Sequence, residues 1–341
     1  MRPSFYPRLI NSPFGDPGLF ISFLFENRGM IFDLGDNHAL SPRDLLKTRH
    51  VFVSHTHMDH FMGFDRLLRL FLGREKNLYL YGPEGFIKNV AGKLAGYSWN
   101  LVAHYPNPFV LHVTEIHPRH LATQHYAVHD QFRPAREAMV TKFDGELLHE
   151  PALTVSAMHL DHRIPCLGFY VKERFHVNIM KDAVLGLGLE IGPWLKEFKQ
   201  ALFSPTHPES VFEVRPKTRG GKTKQFTVKD LSSRIARITP GQKITYLADL
   251  AYDRSMLSQV VEFAKESDQL FIEAAFLEKH RDIAEKKSHL TAWQAGQIAG
   301  MARVKQFTIF HFSPRYAGQE HLLVQEAQAA YCVAFPREDS F

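Results

Sequence analysis

His55-x-His57-x-Asp59-His60 puts three imidazoles and a carboxylate within six residues. Imidazole nitrogens and carboxylate oxygens are both metal donors. Donors at i, i+2, i+4 and i+5 on one tight loop can turn toward two neighbouring cations. Cations held this way polarise a substrate oxygen and lower the pKa of bound water, which is hydrolytic chemistry. Histidines and an aspartate also follow later apolar runs: His159 and His162 in Met158-His-Leu-Asp-His162, Asp249 after Lys243-Ile-Thr-Tyr-Leu247, and His311 in Phe310-His311-Phe-Ser-Pro-Arg-Tyr316.

Donors far apart in sequence need a rigid edge to bring them together. His50-Val-Phe-Val-Ser54 reads as a buried strand that runs straight into the His55 motif. Leu153–Ala157 is a strand leading into Met158–His162, and Gly168–Val171 is the next. Lys243–Leu247 and Phe307–Phe310 are strands ending at Asp249 and His311. The metal-donor candidates therefore all lie at the C-terminal ends of strands, along one rim.

Other elements complete an α/β pattern. Gly18–Glu26 and Met30–Leu34 form an apolar hairpin around Asn27-Arg28-Gly29, ending at Asp33-Leu34-Gly35. Ser41-Pro42 starts a short helix to Lys47, residues 61–72 have helical periodicity, and Leu78–Tyr81 is a strand. Residues 104–170 are mostly β; the six histidines His104, His112, His117, His120, His125 and His129 lack tight ligand spacing and read as surface residues of that region. Helix Ser255–Lys265, strand Gln269–Glu273 and helix Thr291–Ala302 follow. Residues 172–240 read as an irregular, partly helical insertion with a cationic tip, Arg215-Pro-Lys217-Thr-Arg219-Gly-Gly-Lys222-Thr-Lys224. The expected organisation is one domain over residues 1–341 with an inserted arm at 172–240.

Composition narrows the class. The 341 residues are 45% hydrophobic and 23% charged, a globular balance that excludes disordered and fibrous chains. Charged residues interrupt every apolar run, so no membrane span is expected. MRPSFYPRLINSPFGD has no apolar segment of a secretory signal, and Cys166 and Cys332 form no motif, so a cytoplasmic protein is the simplest reading. Lys and Arg total 41 against 36 Asp and Glu, which suits a polyanionic partner.

The ordered set of motifs resembles the ribonuclease Z branch of the metallo-β-lactamase fold, tRNA 3′ endonucleases. The resemblance runs from HxHxDH at 55–60 through Leu160-Asp-His162 with Gly168-Phe-Tyr, and Ile191-Gly-Pro-Trp-Leu-Lys196 where those enzymes carry an exosite arm. It continues through Thr239–Asp249, Ile272-Glu-Ala-Ala-Phe276, Ser288-His-Leu-Thr291 and His311–Tyr316. The N-terminal loop Asn11–Pro17 departs from it, lacking the PxKxRN-like element that helps place tRNA in many relatives.

The resemblance implies an αβ/βα four-layer sandwich and two Zn²⁺ ions, with Mn²⁺ as the alternative metal. It implies that one metal takes His55, His57 and His162, the other Asp59, His60 and His311, and that Asp249 bridges them. His159 is the rival to His162. Asp59 would also orient the nucleophile, and His289 would protonate the leaving oxygen. Glu273 would orient His289, or be a strand-end surface carboxylate. Ser313 and Arg315 would hold a substrate phosphate, unless Arg315 pairs with a carboxylate instead. Lys217, Arg219, Lys222 and Lys224 would clamp RNA by charge. RNA, in the form of pre-tRNA, is the expected partner, with a homodimer compatible. The alternatives are a same-fold hydrolase of a small phosphodiester, such as a cyclic nucleotide, and a non-catalytic metal-stabilised RNA-binding module.

Overall fold

The strand that runs into the His55 motif lies inside an eight-stranded sheet whose strands follow sequence order. The computed structural model describes residues 4–24, 26–135, 137–204, 209–214 and 223–335. β1 (Phe5–Leu9), β2 (Leu19–Phe23) and β3 (Gly29–Phe32) form an antiparallel meander. α1 (Pro42–Lys47) then crosses over to β4 (Thr48–Phe52), parallel to β3. Ser41 caps α1 by accepting from the Asp44 N–H, with Pro42 at the first position, as the sequence predicts.

The helical stretch expected at 61–72 is two helices, α2 (Met58–Phe61) and α3 (Phe64–Phe71). They are separated at Met62-Gly63, and residue 63 must be glycine because a Cβ there would lie 2.2 Å from the Gly35 carbonyl. The backbones pack too closely there for a side chain. β5 (Lys76–Pro83), α4 (Phe86–Ala95), β6 (Phe109–Ile116), β7 (His120–Ala127) and β8 (Met139–Lys142) finish the sheet.

β9 (Glu146–His149), β10 (Leu153–Asp161) and β11 (Pro165–Glu173) begin a second sheet. The strand predicted at 153–157 continues to Asp161, so Met158–Asp161 is strand rather than a loop after one. The chain then forms β12 (Phe175–Ile179), α5 (Lys181–Gly186), α6 (Trp194–Phe203), β13 (Val211–Val214), β14 (Lys224–Thr227), α7 (Val228–Ile235) and β15 (Ala236–Pro240). The described residues of this stretch form more regular elements than the irregular insertion its glycines and prolines suggest. β12 pairs with β15 and β13 with β14, and both pairs are antiparallel. β16 (Lys243–Leu247), α8 (Arg254–Ala264), β17 (Gln269–Glu273), α9 (Arg281–Lys287), α10 (Ala292–Met301), β18 (Phe307–Phe310) and α11 (Glu320–Ala334) end the chain. The second sheet has the order β18-β17-β16-β11-β10-β9.

Two units divide the chain. The larger comprises Phe5–Leu147, Val155–Val171 and residues from Lys243 onward; the smaller comprises Leu148–Thr154 and Lys172–Gln242 together with Ser4. Within the larger unit, Phe64, Leu67, Leu68, Phe71, Phe86 and Val90 from the helices bury against Val51, Leu80 and Leu111 of the first sheet. Ala295, Ile298 and Leu323 do the same against Leu270, Ile272 and Ile309 of the second. Between the sheets, Phe32, Phe52 and Phe169 make a ring cluster with centroids 4.9 to 5.8 Å apart. Helices, sheet, sheet and helices thus make four layers. The smaller unit has its own core of Val184, Trp194, Phe198, Val214, Val228, Leu231 and Ile235, with Leu189. No helix among the described residues is long and apolar enough to cross a membrane.

Candidate metal centre

Five chain segments, each leaving a strand of the larger unit, deliver the site. β4 leads to His55–His60, β10 to His162, β16 to Asp249 and β18 to His311, while Glu273 is the last residue of β17. Parallel neighbours β16, β17 and β18 put their C-terminal ends side by side, which aligns Asp249, Glu273 and His311. The side chains fall into three groups whose donor atoms lie within 4.8 Å of one another: His55, His57, His162 and Asp249; Asp59, His60 and His311; and Asp249, Glu273, His289 and His311.

Asp249 stands at the centre. Its Oδ2 is 3.7 Å from His55 Nε2, 3.5 Å from His162 Nε2 and 3.4 Å from His60 Nε2, and its Oδ1 is 2.7 Å from His311 Nδ1. His55 Nε2 lies 2.9 Å from His57 Nδ1, and Asp59 Oδ2 lies 3.3 Å from His311 Nε2. His60 Nε2, Asp249 Oδ1 and His311 Nδ1 are buried and make no well-aligned hydrogen bond, facing one another only as ion pairs. Buried polar atoms are costly when poorly satisfied. Three of them at one point, on imidazole and carboxylate, are what bound cations would satisfy.

Charge in the cluster agrees with that. Burial, then the charge of His60, lowers the His55 pKa to about 2, and burial with His162 lowers that of His57, so both imidazoles are neutral and ligand-ready. Burial opposes charge on His60 too, but Asp249 and Asp33 outweigh it and raise its pKa to about 10. Burial also works against ionised Asp59, yet His311 and His60 bring it down to about 2. Asp249 is held well below the ordinary carboxylate range by His311 and His60 despite full burial. Bound cations would take the place of protons on His60 and His311.

Asp33 is the supporting residue that motif reading misses. Fully buried and at φ 61°, it accepts from Ser54 N at 2.6 Å, Ser54 Oγ at 2.8 Å and Tyr246 OH at 2.9 Å, and pairs with His60 Nδ1 at 2.9 Å. It fixes the ring of His60 through the nitrogen that is not turned to Asp249. A signal existed: an aspartate ending the apolar run Met30–Phe32 has no reason to be buried unless paired. Gly35, two residues on, is needed because a Cβ there would lie 2.5 Å from the Asp59 carbonyl.

The remaining candidates separate. Glu273 is fully buried, accepts from Leu250 N at 2.9 Å, and lies 3.1 and 3.2 Å from His289 Nδ1, so it is no surface carboxylate. Glu273 raises the pKa of His289 against the effect of burial. His159 points elsewhere, with Nε2 3.3 Å from Ile116 O. Ser313 is half-buried two residues after His311; Arg315 is exposed and lies over the Phe276 ring at 5.7 Å. Lys224 Nζ donates to Leu187 O at 2.9 Å, at the end of α5. Lys217, Arg219 and Lys222 lie outside the described residues. In the His104–His129 region, His112 meets His125 and His117 pairs with Glu115; no further metal-holding group occurs among the described residues.

No family model matches the sequence. The chain is 28% identical over 309 residues to a protein named Ribonuclease Z from Deinococcus radiodurans, covering 89% of this chain and 88% of that one. It is 29% identical over 289 residues to a Ribonuclease Z from Bacteroides thetaiotaomicron, covering 84% and 75%. Among solved structures, the metallo-β-lactamase fold protein YhfI from Bacillus subtilis aligns with TM-score 0.54 and 15% identity over 95% of this chain and 92% of that one. The four layers are therefore the metallo-β-lactamase fold, and the resemblance drawn from the motifs holds along most of the chain.

Proposed function

We propose that this chain, with the metallo-β-lactamase fold and a ribonuclease Z-like sequence, is a metal-dependent endonuclease that cuts tRNA precursors at their 3′ ends. The fold alone hosts many reactions, so the site must support the reading. One observation carries it: Asp249 stands between two donor groups, and a histidine–carboxylate pair, His289–Glu273, stands beside them.

In this reading His55, His57 and His162 hold one ion, Asp59, His60 and His311 the other, and Asp249 both; the all-nitrogen-and-oxygen donor set suits Zn²⁺, then Mn²⁺. When bound, such ions supply Lewis acidity toward water and a phosphodiester. The protein's own groups do the rest. Asp33 keeps the His60 ring aimed. Asp59, ionised and half-buried, orients the attacking water. His289, kept protonated by Glu273, gives its proton to the leaving oxygen, and Glu273 holds Nδ1 so that Nε2 is free to do so. Ser313 and Arg315 bind phosphate at the rim. In the smaller unit, proposed as the RNA-holding arm, Lys217, Arg219, Lys222 and Lys224 meet the RNA backbone. A cytoplasmic location and a homodimer go with this reading.

The test is incubation of Zn²⁺- or Mn²⁺-loaded protein with a 3′-extended pre-tRNA and, in parallel, bis-p-nitrophenyl phosphate, with Asp249→Ala beside both. Cleavage of the RNA at one position, lost in the variant, is expected. Turnover of the small diester alone would replace the tRNA reading with the small-phosphodiester one. Tight RNA binding with no turnover on either would leave only a binding module.

A further inference from the structure

We infer that Arg163 is a positioning residue for proton donation, holding the turn that carries His289. The inference rests on the reading of His289 as the general acid.

Arg163 immediately follows the metal-donor candidate His162 and sits at φ 59°, a conformation that costs a non-glycine residue energy. Its backbone N–H donates to Asp161 Oδ1 at 2.8 Å, which tightens the turn. From there its guanidinium reaches across the sequence to α9: Nη1 donates to Lys286 O and Nη2 to Glu285 O, each at 3.1 Å. The last carbonyls of a helix carry partial negative charge and have room for a further donor; Glu285 O also accepts from Ser288 N–H at 3.2 Å. A guanidinium, with two parallel donors and a fixed positive charge, suits them.

What α9 leads to gives the contact its meaning. The helix stops at Ser288, itself at φ 60°, and the Ser288 carbonyl accepts from His162 Nδ1 at 2.8 Å. The next residue is His289, whose N–H donates to Ala284 O at 3.0 Å and whose Nδ1 faces Glu273. Two adjacent residues, His162 and Arg163, thus grip the carbonyls of Glu285, Lys286 and Ser288. Two left-handed residues, one on each side, bend the chains to meet. Without the guanidinium, only the His162–Ser288 bond remains of these three, and His289 sits directly after its acceptor. A general acid works only within hydrogen-bond reach of the departing oxygen, so slack in this turn is lost proton transfer.

Leaving-group dependence tests this. p-Nitrophenolate departs without a proton, phenolate departs less readily, and an RNA alkoxide needs one. Zn²⁺-loaded Arg163→Ala, Arg163→Lys and His289→Ala, with the Arg163→Ala/His289→Ala double variant, would be assayed on bis-p-nitrophenyl phosphate, diphenyl phosphate and pre-tRNA, with bound zinc measured. Arg163→Ala should lower kcat about tenfold on diphenyl phosphate and pre-tRNA, a part of what a general acid contributes. It should leave bis-p-nitrophenyl phosphate turnover and zinc content near wild type. The double variant should be no worse than His289→Ala, and Arg163→Lys should recover part of the loss. Equal losses on both small diesters together with lost zinc would overturn the inference, placing the effect on His162. A raised KM for pre-tRNA alone, additive with His289→Ala, would also overturn it and make Arg163 an RNA contact. If wild type hydrolyses diesters but not pre-tRNA, the tRNA reading fails and the two small diesters still decide the role of Arg163.

Discussion

The two units of this chain are built on different terms. The larger one buries charged groups and strains its backbone to do so: Asp33, Asp249, Glu273, His55 and His60 are almost fully inaccessible, and Asp33, Arg163, Ser288 and His311 all have φ between 59° and 63°. The smaller one is an assembly of short helices and two-stranded pairs around an apolar core, with one buried pair, Glu173–His176, and ion pairs on its surface such as Arg234–Asp230. Buried charge and left-handed backbone persist only where a rigid surround over-determines them. Two stacked sheets with helices outside supply that surround. The contrast teaches that the donor groups belong to the larger unit, and under the proposed function the smaller one serves recognition rather than catalysis.

That contrast can be broken in several ways. Asp249→Ala should produce the largest effect, since it removes the carboxylate that faces His55, His162, His60 and His311 and that the proposed function has both ions share. Several kcal/mol of transition-state stabilisation would go with it, about a thousandfold in kcat on RNA and small diester alike. Residual turnover near wild type would remove Asp249 from the site. Next, Phe198→Ala hollows the core of the smaller unit, where Phe198 is fully buried, and should cost that unit about 3–5 kcal/mol. Protease cutting within residues 172–242 and loss of pre-tRNA cleavage should follow, with bis-p-nitrophenyl phosphate turnover kept. Loss of the small-substrate activity as well would abolish the division of labour.

Asp33→Ala sharpens the picture within the larger unit. Losing the partner that aims the His60 ring should weaken metal binding roughly 10- to 100-fold, read by competition with a chromogenic chelator. Unchanged affinity would reduce Asp33 to a packing role. Charge reversal at Lys217, Arg219 and Lys222 should lower RNA affinity and flatten its log–log salt dependence by about 2, given roughly 0.7 per single-strand phosphate contact. An unchanged slope would remove these cations from the RNA interface.

The smallest effect concerns His112, on the first sheet beside Asn77, Tyr79 and His125. Burial, then the neighbouring His125, lowers its pKa from 6.5 to about 4. Between those values the unfolded chain takes up a proton that the folded chain refuses. The contribution of His112 to stability is therefore complete above pH 6.5 and is lost as pH falls toward 4. Thermal melts of His112→Gln from pH 7 to pH 4.5 should fall less steeply than those of the parent; parallel curves would assign the acid sensitivity elsewhere.

How much of this was legible beforehand differs by residue. The HxHxDH loop, Asp249 and His311 could be found because each follows an apolar β run, and a strand end is a local feature of sequence. Strands β17 and β18 were readable to the residue for the same reason. The need for glycine at 63 was not, since it comes from the approach of Gly63 to Gly35, a contact between distant residues. The elements among the described residues of 172–242 were obscured because their strands β12 to β15 are short and pair, among the described residues, with one another.

By itself, then, the sequence determined the chemical inventory: which donors exist, that they sit at strand ends, and that an α/β scaffold must carry them. Period-2 alternation and turn residues act over a few positions, so they are written locally. The tertiary structure alone decided the rest. It chose His162 over His159, since a strand that runs on to Asp161 leaves His162 at its end and turns His159 toward Ile116. It buried Glu273 against His289, set Asp33 beneath His60, and brought Arg163 to the end of α9. Each of these depends on a partner 16 to 123 residues away, and which distant side chains meet is settled only when the sheets close on each other.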